Sequence, residues 1–177
     1  FVNLLKKKYF QMHDFDTLFL DRDGVINKKL EGRYVRNLSE FKFLPGVLKA
    51  VSQLSNIFNR IIIVTNQQGI AKGIMSESDL NILHAQMQEG IERVGGKISK
   101  IYYCPHLETL HCMCRKPNPG MIQQAVIDFP NIVIKKSYLV GDSDSDIEAG
   151  KRMNLHTIKV DGNYTLAKWT SDLLKVI

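Results

Sequence analysis

Two aspartates two positions apart, Asp21 and Asp23, close the short apolar run 17–20 and are followed at once by Gly24. One carboxylate of such a pair can attack as a nucleophile while the other shuttles a proton, provided that something offsets their mutual repulsion. A hard dication would do so. On an extended strand end the two would share one face. Asp142 and Asp146, after another apolar run, add the oxygen ligands that a Mg²⁺ site prefers. Thr65 and Asn66 offer a hydroxyl and backbone donors, and Lys116 offers a compact cation. Together these groups suit a phosphoryl group whose charge must be neutralised during in-line transfer. Any one of the aspartates could be no more than a helix cap; the set argues for chemistry.

A second constellation lies in one eleven-residue stretch. Cys104, His106, Cys112 and Cys114 have the spacing C-x-H-x5-C-x-C, which suits tetrahedral Zn²⁺ closed by four protein ligands and therefore structural. The alternatives are a disulfide or plain buried thiols, but three cysteines make an odd count, which speaks against a disulfide framework. His111 is a spare candidate expected at the surface. Arg115 and Lys116 follow directly, so a metal here would fix a polar loop and aim both cations one way. Arg115 beside a phosphoryl-binding lysine can grip a second, non-reacting phosphate bidentately, which a monophosphate would not need. Its alternative role is a salt bridge or packing against the loop. Lys72 and Arg36 could add to the same anion site.

The elements that must position these groups read as an alternation. Short β-branched or aliphatic runs occur at 17–20, 60–64, 97–103, 137–140 and 156–160, and amphipathic stretches at 45–54, 76–94 (opened by a Ser N-cap), 119–129 and 145–153. That order predicts right-handed βαβ units and a doubly wound α/β fold with a parallel sheet. In such folds ligands bind outside the carboxyl ends of the strands. The polar motifs at 21–24, 65–69, 115–116 and 141–143 are all predicted to converge there.

The 177 residues predict one domain over 14–177 preceded by a tail over 1–13. Met12 stands just before the first strand-like run, so residues 1–11 read as a linker from an upstream domain, an appended remnant or a frayed helical turn. Hydrophobic residues make up 44% and charged residues 24%, which excludes a disordered or collagen-like chain. Apolar runs such as 61–64 reach four residues, far short of the ~20 of a membrane span, and no secretory leader is visible. A cytoplasmic protein, most simply a monomer, is expected. Half of the net charge of +6 comes from Lys6, Lys7 and Lys8, so bulk charge does not argue for a nucleic-acid partner, and no aromatic-interleaved basic stripe is present to track a strand. A zinc-stabilised nucleic-acid or protein binding module with a degenerate site is the reading of a different class; the completeness of the motifs speaks against it.

The ordered set Asp21-x-Asp23-Gly24, Thr65-Asn66, Lys116-Pro117 and Gly141-Asp142-x-x-x-Asp146 resembles the four motifs of the haloacid dehalogenase superfamily of phosphatases and spans 17–160. The resemblance implies a capless Rossmann-like domain in which Asp21 forms an aspartyl-phosphate and Asp23 acts as general acid and then base. It implies that Thr65 and Lys116 hold the phosphoryl oxygens and that Asp21, the carbonyl of Asp23 and Asp142 bind Mg²⁺. Asp146 would brace the loop, and Asp144 would face solvent. The run Cys114-Arg115-Lys116-Pro117 after a zinc loop, with 21–27 and 65–67, is similar to two capless families, the heptose bisphosphate phosphatases and the histidinol-phosphate phosphatases. The stretches 115–121 and 69–73 are more similar to the former, which implies a phosphorylated sugar as substrate. Gln68, often Ser there, and Lys72, often Arg, depart from that pattern.

Overall fold

A strand buried on both faces needs apolar side chains at consecutive positions, and the runs after Phe15 supply them. A computed structural model, which describes residues 15–177, forms from these runs a five-stranded parallel sheet. Its strands are β1 (Thr17–Leu20), β2 (Arg60–Asn66), β3 (Lys100–Cys104), β4 (Tyr138–Gly141) and β5 (His156–Lys159). The expected tail and its lysines lie outside the described residues. In β1, Leu18 and Leu20 face one core and Phe19 the other; in β2, Ile61 and Ile63 are set against Ile62 and Val64 in the same way.

Among the described residues, five α-helices cover the two faces: α1 (Val47–Leu54), α2 (Glu77–Glu92), α3 (Gly120–Asp128), α4 (Asp144–Arg152) and α5 (Leu166–Val176). Helices α1, α2 and α5 bring Val47, Leu54, Met87, Ile91 and Trp169 to the first core, while α3 and α4 bring Met121, Ile122 and Ala149 to the second. The doubly wound α/β architecture is therefore as expected. The strand order is β3-β2-β1-β4-β5. The chain runs outward from β1 to β3 and then returns to the other side of β1, so the switch point lies between β1 and β4. A crevice opens at the carboxyl ends of such neighbours.

Local differences from the sequence reading have physical causes. Strand β1 stops at Leu20; Asp21 still donates its N–H to the Val140 carbonyl at 3.0 Å, whereas Asp23 stands where the chain turns and not on an extended strand end. The turn is tight: the Arg22 carbonyl accepts from the backbone N–H groups of Val25, Ile26 and Asn27. Gly24 has φ +90, and a Cβ there would meet Asp142 Oδ2 at 2.5 Å. Strand β2 continues past 64, which places Thr65 and Asn66 on the strand itself. Strand β3 starts at Lys100 and not at 97, because the N–H of Lys97 is taken by Ser55 Oγ at 2.9 Å. Helix α5 was not expected, although Leu166 and Trp169, which it buries, and the exposed Lys168, Asp172 and Lys175 fall on opposite faces at helical spacing. Among the described residues, no helix is long and apolar enough to cross a membrane.

Candidate active site

Lys116 is the hub of the crevice. Its Nζ lies 2.7 Å from Asp21 Oδ1, 2.7 Å from the Val64 carbonyl and 2.5 Å from Asp146 Oδ1. All three of the Asp21, Lys116 and Asp146 side chains are buried. The loop carrying Lys116 is tied to β2 through Asn66, whose Oδ1 accepts from the Lys116 N–H and whose Nδ2 donates to the Lys116 carbonyl, both at 3.1 Å. The Asn66 side chain is thus spent on holding Lys116 in place, a role the sequence did not distinguish from contact with a phosphate. Asp146 is fixed from the other side by a capping box at the start of α4, where its Oδ2 accepts from the Ser143 N–H at 3.0 Å. Gly141 ends β4 against it; a Cβ there would meet Asp146 Cβ at 2.2 Å. Asp146 does brace the loop, and Asp144 faces solvent beside Lys159.

Burial pushes the Asp21 carboxyl up to about 7, against the pull of Lys116 and with a further push from Asp146 and Asp23. Burial also works against the charge of Asp146, but Lys116 and the bonds from Ser143 outweigh it and hold that carboxyl below its usual range. Ligand oxygens of Asp21, Asp142 and Asp146 all lie within 4.8 Å of one another. Asp142 Oδ2 accepts from Lys29 Nζ at 2.6 Å, whereas its Oδ1 is buried with no hydrogen-bond partner among the described residues. A buried acceptor left open beside two other carboxylates fits a hard, oxygen-seeking dication such as Mg²⁺.

Asp23 sits in a net of donors. Arg22 Nη2 lies 3.0 and 2.8 Å from its two oxygens, Asn27 Nδ2 donates to Oδ1 at 2.8 Å and Gln67 Nε2 to Oδ2 at 2.9 Å. Burial opposes its charge, but the Arg22 guanidinium and the bonds from Asn27, Arg22 and Gln67 prevail and hold the carboxyl below the usual range. Gln67 also donates to Thr65 Oγ1 at 2.9 Å, which leaves the Thr65 hydroxyl proton for a ligand oxygen.

The crevice has a volume of about 480 Å³, and its acidic floor is ringed by Lys29, Arg33, Lys72 and Arg115. Tyr34 packs on Gly69, and Lys72 Nζ stands 5.4 Å from the centre of its ring. Arg36 does not join this ring. Its guanidinium is held by Glu40, with Nη2 2.6 Å from Oε1. Arg115 has a side chain 16% exposed, a distant partner in Glu108 at 4.0 Å, and a buried Nη1 with no hydrogen-bond partner among the described residues.

Beside this ring the four zinc-type residues meet. The Sγ atoms of Cys104, Cys112 and Cys114 are 3.1 to 3.4 Å apart, and His106 Nδ1 lies 3.2 Å from Cys114 Sγ and 3.6 Å from Cys104 Sγ. A tetrahedral zinc with bonds of about 2.3 Å to sulfur sets its sulfurs about 3.8 Å apart. The thiols are free, and three sulfurs and one nitrogen drawn together this closely fit that ion. His111 is exposed and stands outside the cluster.

Comparison with known proteins decides the family. A profile described as HAD-hydrolase-like matches residues 113–173. A D-glycero-alpha-D-manno-heptose-1,7-bisphosphate 7-phosphatase of Mycobacterium bovis is 42% identical over 131 residues, 74% of this chain and 69% of that protein. A D-glycero-beta-D-manno-heptose-1,7-bisphosphate 7-phosphatase of Pseudomonas putida is 37% identical over 154 residues, 85% of this chain and 87% of that protein. The chain belongs to the haloacid dehalogenase-like phosphatases. Among solved structures, the D,D-heptose 1,7-bisphosphate phosphatase of B. bronchiseptica, complexed with magnesium and phosphate, superposes with a TM-score of 0.83 at 28% identity, over 92% of this chain and all of that one.

In this phosphatase the sequence reading brought together Asp21, Asp23, Thr65, Asn66, Arg115, Lys116 and Asp142, all of which line the crevice. It missed their supports. Arg22, Asn27 and Gln67, which hold Asp23, were legible only as neighbours of the motif residues. Lys29 and Tyr34 come from a loop without periodicity. His84, which touches Arg22, is the one polar intruder on the buried face of α2 beside Leu80, Leu83, Met87 and Ile91. That pattern break was its signal.

Proposed function

We propose that this phosphatase removes the C7 phosphate of D-glycero-D-manno-heptose 1,7-bisphosphate by way of an aspartyl-phosphate on Asp21. The observation that carries the bisphosphate is Arg115: a guanidinium on the crevice wall, next to the phosphoryl-binding Lys116, with a buried donor unfilled. A second phosphate, at C1, would fill it by charge-assisted bonds. Names of the relatives support the same substrate.

Asp21 attacks phosphorus as the bond to the C7 oxygen breaks. The electron pair stays on that oxygen and leaves with it as the alcohol, protonated by Asp23, whose carboxyl gains its proton from solvent when the negative charge of the bound phosphate raises it from the low range of the free crevice. Asp23, now a carboxylate, draws a proton from water as the water oxygen attacks the phosphorus of the aspartyl-phosphate, and Asp21 is released with inorganic phosphate. The Thr65 hydroxyl holds one phosphoryl oxygen and Lys116 Nζ another through both steps, the lysine turning to it the donor that it otherwise gives Asp21. Mg²⁺, held by Asp21, the Asp23 carbonyl and Asp142, supplies neutralisation of the phosphoryl charge when bound. Zn²⁺ on Cys104, His106, Cys112 and Cys114 fixes the loop that presents Arg115 and Lys116. The same proposal takes the substrate to be a small phosphorylated sugar, with the chain acting as a monomer in the cytoplasm without a nucleic-acid or membrane partner; the cations that ring the crevice support the first of these.

The test is magnesium-dependent phosphate release from both anomers of the bisphosphate, the heptose 7-phosphate, histidinol phosphate and a 3′-phosphorylated oligonucleotide, with phosphorus NMR to show which phosphate leaves. The bisphosphate should be preferred and C7 cleaved. Arg115→Ala should lower its kcat/KM roughly ten- to hundredfold while leaving the 7-monophosphate almost unchanged. Faster turnover of histidinol phosphate, with Arg115→Ala indifferent to the second phosphate, would replace this reading by a histidinol-phosphate phosphatase.

A further inference from the structure

Arg22 is wholly buried, an unusual place for a guanidinium. Its Nη2 is spent on Asp23, its Nε has no partner among the described residues, and its Nη1 lies 3.2 Å from His84 Nε2. A guanidinium has no acceptor, so Nε2 must accept and the His84 proton must sit on Nδ1. His84 is 5% exposed, inside α2 and 62 positions from Arg22 in sequence. Burial, and then the charge of Arg22, push its pKa down to about 3, so the ring is neutral and remains an acceptor at working pH. The Tyr103 ring stands nearby, at 6.1 Å between centroids.

We propose that His84 is a positioning residue for the general acid: by accepting from Arg22 it fixes the guanidinium against which the Asp23 carboxyl is oriented. This inference rests on the reading of Asp23 as the acid that protonates the leaving alcohol. The physical argument is one of alternatives. With His84 present, Arg22 has a partner on each side and one orientation that satisfies both. Without it, Nη1 is a buried donor with nothing to meet, and the guanidinium turns to find another acceptor. Asn27 and Gln67 still hold Asp23, but each holds a single oxygen, whereas Arg22 Nη2 reaches both. Losing that reach lets the carboxyl rotate away from the leaving oxygen, and a small misplacement of a proton donor is costly.

The step that depends on Asp23 is breakage of the bond between phosphorus and the ester oxygen. An alkyl alcohol needs a proton as it leaves; p-nitrophenolate is stable enough to leave without one. The ratio of kcat/KM for the heptose 7-monophosphate, which makes no second-phosphate contact with Arg115, to that for p-nitrophenyl phosphate therefore falls when the acid is displaced, since kcat/KM covers the steps up to departure of the leaving group and not the later hydrolysis. His84→Leu should lower this ratio about tenfold, a fraction of what a general acid contributes. His84→Gln, whose side-chain oxygen can accept from Arg22, should restore most of it. An equal loss on both esters, or an unchanged ratio in folded His84→Leu, would overturn the proposal. Should His84→Leu not fold, Arg22→Lys, which keeps the charge and severs the link, is held to the same outcomes. Asp23→Asn separates the two claims. If it too leaves the ratio unchanged, Asp23 is not the acid; if it lowers the ratio and His84→Leu does not, His84 does not position it.

Discussion

The floor of the crevice and the loop that overhangs it are built on opposite plans. On the floor, Asp21, Thr65, Gln67 and Asp146 are buried, Lys116 reaches them from the loop, and Leu20, Val64 and Val140 on the strands beside them are core residues. Each polar group answers another, and the sheet fixes where each begins. In the loop 104–116, Leu110 is 61% exposed and Met113 69% exposed. Its shape comes from the Cys104, His106, Cys112 and Cys114 cluster and from a few bonds at its far end, such as Asn118 Nδ2 to the Cys112 carbonyl at 2.9 Å. The difference teaches where each kind of damage should travel. A change of one reacting group on the floor stays local because the sheet persists. A change in the cluster spreads, because the loop has little core of its own to fall back on.

The largest effect should come from Asp21→Asn, which keeps the shape of the nucleophile and removes its charge. Turnover should fall by at least about a thousandfold. The thermal midpoint should move little, because Lys116 keeps Asp146 and the Val64 carbonyl as partners. Turnover above a trace in a clean preparation would remove Asp21 from its role; a collapse of the fold would instead show that the floor is not held by the sheet.

Stripping the metal from the loop, or replacing Cys112 by Ser, should do the reverse and move stability together with activity. The protein should carry one zinc per chain. Its loss should free Arg115 and Lys116 from their placement, lower the thermal midpoint and cost activity roughly ten- to hundredfold, while far-ultraviolet dichroism still reports the sheet. Metal analysis of protein prepared without chelator or nickel decides the matter: full activity with no zinc would break the comparison at the loop.

The two regions were not equally legible. Both ligand clusters were readable because spacing carries them: Asp21 with Asp23, Asp142 with Asp146, and the cysteines with His106 recur at intervals that few other roles demand. The βαβ alternation that places them was readable from short apolar runs. What escaped was whatever depends on distance across the fold. That Asn66 would turn its side chain to the Lys116 peptide, 50 residues on, has no local sign. The capture of Arg36 by Glu40, which takes it from the anion site, is by contrast local, four residues on, and was open to the sequence. Helix α5 was legible and was passed over: Leu166, Trp169, Leu173 and Leu174 recur at the helical period, Lys168, Asp172 and Lys175 take the other face, and Thr165 caps the start.

The smallest effect sharpens the comparison from within the floor, through His84. Its ordinary pKa of 6.5 is pushed down to about 3 in the fold by burial and by Arg22. Below pH 6.5 the unfolded chain takes a proton at this site and the folded chain does not. The unfolded state therefore binds more protons, and this group's contribution to stability is lost as pH falls from 6.5 towards 3. The slope is about 1.4 kcal/mol per pH unit while the unfolded histidine is protonated, so the loss from pH 6.5 to 5 is on the order of 2 kcal/mol. Asp21 acts with the opposite sign, since its raised carboxyl binds its proton in the folded state first. Thiolate protonation in the loop weakens any bound zinc over the same range in every variant. His84→Gln removes the histidine contribution and leaves both others. Urea unfolding of the zinc-loaded protein at pH 6.5 and 5 should show a smaller fall in stability for His84→Gln than for the wild type. Equal falls would mean that the imidazole takes its proton inside the fold, and with it that Nε2 does not accept from Arg22.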